Sequence, residues 1–159
     1  MDARREVGVV PTETLLSQDG LSFLRDMIDG KFPPPPIMQT LGFALASVDK
    51  GRAAFEGEPQ FRHYNPIGVV HGGFAMTLLD SALGCAVHTT LTKGEAYTTL
   101  EVKVNLVRPL TKDTGLVTAE GRILYRGRTL ATAEGDIKDK AGKLYAHATT
   151  TCMIFPAKG

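Results

Sequence analysis

The chain has 159 residues, enough for one domain with a real core and too few for two comfortable ones. A net charge of +1, with 22% charged and 43% hydrophobic residues and no basic tract, excludes a nucleic-acid-coating protein and an acidic scaffold. No window approaches a membrane span. Residues 1–16, with Arg4, Arg5, Glu6, Pro11 and Glu13, lack the apolar run of a secretory signal, so a cytoplasmic location is expected. The two cysteines, Cys85 and Cys152, fall inside predicted core elements and are read as buried free thiols.

Leu21, Leu24, Met27 and Ile28 stand at helical spacing behind Ser17 as a possible cap, and they predict a short helix over 17–30 that stops at Gly30. Prolines 33–36 then impose an extended connector, and residues 37–42 read as a turn into a sheet. Residues 1–40 are therefore assigned to an N-terminal extension and 41–159 to the main domain. Stretches 43–48 and 52–58 flank Asp49-Lys50-Gly51, the composition of a hairpin turn. After a polar loop, residues 73–90 carry Phe74, Met76, Leu78, Leu79, Leu83, Ala86 and Val87 on more than one face, the pattern of a helix buried nearly all round. Over 98–107, Leu100, Val102, Val104 and Leu106 alternate with Glu101, Lys103 and Asn105, which predicts a strand with one buried and one wet face. Strands over 115–125, 128–138 and 143–155 follow across short polar turns, as consecutive antiparallel neighbours in a four-strand meander. The expected class is α+β, a curved antiparallel sheet of about six strands wrapped around one long helix.

The most informative stretch runs from Asn65 through Val70-His71-Gly72-Gly73 to Asp80. Gly72 and Gly73 open the helix with little bulk, so unpaired N–H groups and the positive end of the helix dipole are available there to a carbonyl oxygen gaining charge. The plainer reading of the glycine pair is a tight loop-to-helix turn. Asp80 sits within the apolar helix, where an unpaired carboxylate would cost several kcal/mol or titrate high. Eight residues separate it from Gly72, roughly 12 Å along the axis. One carbonyl cannot touch both in a single chain, so a shared action requires a two-fold dimer with two shared sites. His71 reads as a brace for the turn rather than a base, and Cys85 and His88 read as core filling. His63, His71, His88 and Asp80 match no ligand spacing, so no metal site is expected.

Taken together, Asn65-x5-His71-Gly72-Gly73-x6-Asp80, the strand ending Val107-Arg108-Pro109, Gly127-Arg128-Thr129 and Asp139-x-x-Gly142 resemble the hot-dog-fold acyl-CoA thioesterases of the phenylacetate-degradation type. The likeness runs over about residues 41–155. It implies that Gly72 donates its N–H to the thioester oxygen and that Asp80 of a partner subunit is the catalytic carboxylate, as base or nucleophile. It further implies that Asn65 holds the carbonyl or the water, that Thr99 orients the water and that His71 positions the turn. Gly73, Leu79 and Leu83 are expected to line the acyl site, with Arg108, Arg126 and Arg128 within reach of the coenzyme A phosphates. Coenzyme A arrives as part of the substrate, so no cofactor is implied, and relatives commonly pair dimers into tetramers. A non-catalytic acyl-CoA sensor and a hot-dog hydratase or dehydratase are the alternatives on the same fold. Retention of Asn65, Gly72 and Asp80 together favours hydrolysis.

Overall fold

The computed structural model describes residues 6–157, so Arg4 and Arg5 of the leader reading lie outside the described residues. Three short helices come first: α1 (Thr12–Leu16), α2 (Gly20–Ile28) and α3 (Pro36–Leu41). Ser17 ends α1 rather than starting α2. Asp19 is the cap of α2, its carboxylate accepting from the Ser22 N–H at 3.0 Å. Residues 37–42, expected as a turn, are mostly helical because Pro36 sits in the first turn of α3, and Gly42 closes it in the left-handed conformation.

Strands β1 (Phe43–Asp49) and β2 (Arg52–Gly57) form the expected hairpin, with Gly51 at positive φ in its turn. The long helix α4 (Gly72–His88) follows, then β3 (Glu95–Leu106), β4 (Val117–Arg126), β5 (Leu130–Asp139) and β6 (Leu144–Pro156). All pairs are antiparallel in the order β1-β2-β4-β5-β6-β3. The expected four-strand meander therefore holds only for β4, β5 and β6. The chain after β3 crosses the sheet end through Pro109 and a 3-10 turn at Lys112–Thr114, which lets β4 join β2 and leaves β3 on β6 as an edge.

Helix α4 lies in the hollow of this sheet. Phe74, Ala75, Leu78, Leu79, Ala82, Leu83, Ala86 and Val87 are buried on it, against Phe55, Val117, Ala119, Ala133 and Ile137 among others. Close approach is set by a glycine pair: Gly121 opposes Gly135 across β4 and β5, and a Cβ at Gly121 would stand 2.4 Å from the Ala82 carbonyl oxygen. The far end of α4 is held by the extension. The Gly20 N–H, at the head of α2, donates to the Leu91 carbonyl just past the tail of α4, and Phe23 stacks on His88. No helix among the described residues is long and apolar enough to cross a membrane.

Candidate active site

Helix α4 begins at Gly72 because His71 caps it. The His71 Nδ1 accepts from the Gly73 N–H at 2.9 Å and the His71 carbonyl from the Phe74 N–H at 3.0 Å. The Gly72 N–H is left without a partner among the described residues. It lies at the positive end of a seventeen-residue helix, and a Cβ at this position would stand 2.6 Å from a methyl of Leu106. The preceding loop is held by its own polar groups. The Asn65 side-chain oxygen accepts from the N–H groups of Ile67 and Val69, and the His71 N–H donates to the His63 carbonyl at 2.7 Å. The Asn65 oxygen is thus used, and its amide N–H₂ has no partner among the described residues. A cleft of ≈ 250 Å³ joins Asn65, His71, Gly72, Leu106, Arg108 and Tyr145. The Arg108 guanidinium donates to the Leu144 carbonyl and lies 5.9 Å from the centre of the Tyr145 ring.

About two turns along the same face stands Asp80, whose Oδ1 accepts from the Thr99 hydroxyl at 3.2 Å. A bulge in β3 makes this contact. Thr99 opposes Cys152 and Glu101 opposes Thr151, so Leu100 drops out of the ladder and is 55% exposed, while a hydroxyl faces the helix in its stead. The alternation in the sequence had set Leu100 on the buried face with Val102, Val104 and Leu106. The bulge removes it, and Leu106 is itself 50% exposed because β3 has no neighbour on its outer side. Behind Thr99 the Cys152 thiol lies 4.0 Å from its oxygen.

Asp80 is not desolvated within one chain, as its place in an apolar helix had implied. The buried arc of α4 faces the sheet, and Asp80 is exposed on the opposite side with Met76. These two residues, with Thr77, Val102 and Val104, line a second cleft of ≈ 320 Å³. Each cleft thus holds part of the expected machinery: Asn65, His71, Gly72 and Arg108 in one, and in the other Asp80, to which the Thr99 hydroxyl is bonded.

Several expected contacts fall elsewhere. Leu79 and Leu83, expected to line the acyl site, are fully buried on the sheet side of α4 and border neither cleft. The Gly73 N–H is taken up by His71. Arg126 is not free for a phosphate, since its guanidinium donates to both oxygens of Glu95, at 3.0 and 2.9 Å, and to the Gly127 carbonyl. Burial raises the Glu95 carboxyl, but the Thr92 N–H and Arg126 outweigh it and hold the group below its ordinary value. Arg128 is exposed and unpartnered among the described residues. Burial, with the Asp80 charge second, pushes the Cys85 thiol up to about 12, the opposite of what a nucleophile requires. No group of His, Cys, Asp and Glu among the described residues could hold a metal. Sequence reasoning passed over Tyr97, which faces inward on β3 two residues from Thr99. It is the only aromatic side chain of that strand.

One helix wrapped by a six-stranded antiparallel sheet, with a free N–H at the helix start and a carboxylate about two turns on, defines the hot-dog thioesterase class. Residues 67–146 match the family model described as the thioesterase superfamily. A phenylacetic acid degradation-related protein of Ralstonia eutropha JMP134 superposes with a TM-score of 0.74 at 32% identity, over 82% of this chain and 98% of that one. The 1,4-dihydroxy-2-naphthoyl-CoA hydrolase of Listeria monocytogenes is 27% identical over 74% of this chain and 94% of its own length. Human acyl-coenzyme A thioesterase 13 is 28% identical over 80% and 91%. The chain belongs to the thioesterase superfamily and is a thioester hydrolase.

Proposed function

We propose that this chain hydrolyses an acyl-CoA thioester at a site completed by a second copy of itself. The observation that carries the reading is the split of one chemistry between two places on one groove: Gly72 lies over Leu106, and Asp80 lies over Thr99. β3 is a free edge. If two copies pair antiparallel along it, centred near Val102 and Lys103, then Gly72 of one copy falls beside Asp80 of the other, and Met76 falls at the two-fold axis. The exposure of Met76 (45%), Leu100 and Leu106 supports that pairing. Leu130, Met153 and Phe155, uncovered on the outer face of the sheet, support a further pairing of dimers into a tetramer. The relatives that act on coenzyme A esters support the substrate class.

In this arrangement the Gly72 N–H receives the thioester oxygen as it gains negative charge, and it needs no reorganisation to do so. Asp80, held by the Thr99 hydroxyl, either takes a proton from the attacking water or attacks the carbonyl carbon itself, and both routes use the same carboxylate. In the first route the C–S bond of the tetrahedral adduct breaks and Asp80 returns its proton to the coenzyme A thiolate. In the second the thiolate leaves with a proton from solvent, and a water then hydrolyses the acyl-Asp80 anhydride to free acid and carboxylate. In this reading the Asn65 amide donates to the carbonyl or the water. Arg108 at the rim and the unpartnered Arg128 are the guanidiniums available to phosphates, and Arg126 is committed to Glu95.

The test follows free thiol release from phenylacetyl-, hydroxybenzoyl- and straight-chain acyl-CoA esters by wild type and Asp80→Asn, with sizing to confirm assembly. A loss of at least about a hundredfold in kcat is expected. Full activity in the variant would make Asp80 structural and overturn the assignment.

A further inference from the structure

The groove between α4 and β3 has the same packing near both ends, a large β3 side chain lying close to a helix glycine. At one end a Cβ on Gly72 would meet Leu106 at 2.6 Å. At the other, a Cβ on Gly84 would meet the Tyr97 hydroxyl at 2.7 Å and its ring carbons at 3.2 and 3.4 Å. Asp80 stands one turn before Gly84, and Thr99 stands two residues beyond Tyr97 on the same inward face of β3. Tyr97 is therefore the next inward side chain along the groove from the carboxylate. Beyond it lies a cavity of ≈ 100 Å³ of mixed lining, with Tyr97, His88, Leu91 and Leu15 on its apolar side and Gln18, Thr92 and Glu95 on its polar side. For scale, an apolar cavity of about 150 Å³ accepts a benzene ring. Tyr97 meets His88 edge-on at 5.7 Å between ring centres. Neither the Tyr97 hydroxyl nor the His88 imidazole has a hydrogen-bond partner among the described residues, so no polar contact locks the tyrosine in place.

From these positions we propose that Tyr97, seated on Gly84, is the end stop of the acyl site and sets the length or bulk of the acyl group the enzyme accepts. The inference rests on the reading of Asp80 and Gly72 as the acyl-CoA site. An acyl group whose carbonyl carbon lies at Asp80 has two ways to run along the groove. Toward Met76, Val102 and Val104 it meets the helix and strand of the second copy. Toward Gly84 it meets Tyr97. The chamber behind Tyr97 is space the wild-type acyl group does not reach, and trimming the ring joins the two volumes. A helix residue with a side chain at position 84 could not coexist with the tyrosine where it stands. The Gly84 and Tyr97 pair is thus one unit.

The test compares wild type, Tyr97→Ala and Tyr97→Leu on straight-chain acyl-CoA esters from four to sixteen carbons, and measures binding of the matching non-hydrolysable thioethers by calorimetry. Each additional pair of methylenes that finds apolar cover is expected to be worth about tenfold in affinity. The optimum should therefore move to longer chains in Tyr97→Ala, with a rise of about tenfold in the long-to-short ratio of kcat/KM carried mainly by KM. Tyr97→Leu should move it less, and it carries the test if the alanine variant fails to fold. Gly84→Ala, which forces the ring to shift, should also alter the length profile. An unchanged profile in the folded variants, with Asp80→Asn inactive, overturns the end stop and leaves the catalytic reading standing. A shifted thioether preference in a protein that turns over none of these esters would support the end stop and overturn the catalytic reading.

Discussion

The two halves of α4 are both rich in apolar residues and have opposite fates. From Ala82 to Val87 the helix is sealed by the sheet, by Tyr97 on Gly84 and by the extension at its tail, with almost no exposed surface. From Gly72 to Asp80 one side packs equally well, while the other presents a free N–H, an exposed methionine and an exposed carboxylate. The difference teaches that the sealed half is a finished piece of tertiary structure. The open half leaves Met76 and Asp80 uncovered in the single chain, and it is this face that the proposed second copy would cover.

The sharpest way to break this contrast is to charge the open half. Met76→Glu sets like charges together at the proposed axis and leaves the sealed half untouched. It is expected to give a folded monomer with activity down by a hundredfold or more, read by analytical ultracentrifugation beside thiol release. A stable, active dimer would place the two-fold elsewhere.

The sealed half can be probed by pH. Burial lowers His88 from its ordinary value to about 4, so it folds neutral. Between about pH 6.5 and 4 the unfolded chain binds the proton that the folded chain refuses, so stability is full above pH 6.5 and falls as the pH drops, by up to about 3 kcal/mol. Urea denaturation of wild type and His88→Phe across that range should show a flatter slope in the variant.

Two glycine substitutions then separate the halves by kind of effect. Gly121→Ala drives a Cβ against the Ala82 carbonyl, backbone that cannot yield, and should cost about 1–3 kcal/mol of stability. Gly72→Ala meets only the end of the Leu106 side chain, so thermal unfolding should move little while thiol release falls. The smallest expected effect is that of His71→Ala. Loss of the bond to the Gly73 N–H should cost about 1 kcal/mol and reduce kcat a few-fold, through disorder at the helix start.

Much of this was legible in the sequence, for identifiable reasons. The helix pattern, the glycine pair and the spacing to Asp80 are local, and the separation of roughly 12 Å between Gly72 and Asp80 is what motivates the proposal of a site shared by two chains. What stayed hidden depends on contacts between distant segments. Nothing in the run from Tyr97 to Leu106 marks the bulge that turns Thr99 inward and Leu100 out. Arg126 looked free because its partner, Glu95, lies thirty-one residues upstream. Leu79 and Leu83 were assigned to the acyl site because a helix apolar on several faces does not say which face meets the sheet. The turns correctly paired β4, β5 and β6, but only the assembled sheet shows that β3 goes to the far edge.

That edge has a consequence for the life of the chain before it meets its partner. Twelve residues of β3 leave one row of backbone donors and acceptors unpaired, which is a template for any extended segment. Glu101, Lys103 and Asn105, exposed along it, are the polar residues that discourage indiscriminate pairing. If the correct occupant is another β3, the measured stability of the fold must rise with protein concentration by mass action. A dilute, newly synthesised chain would then be the aggregation-prone form of this protein, and a concentrated one the protected form.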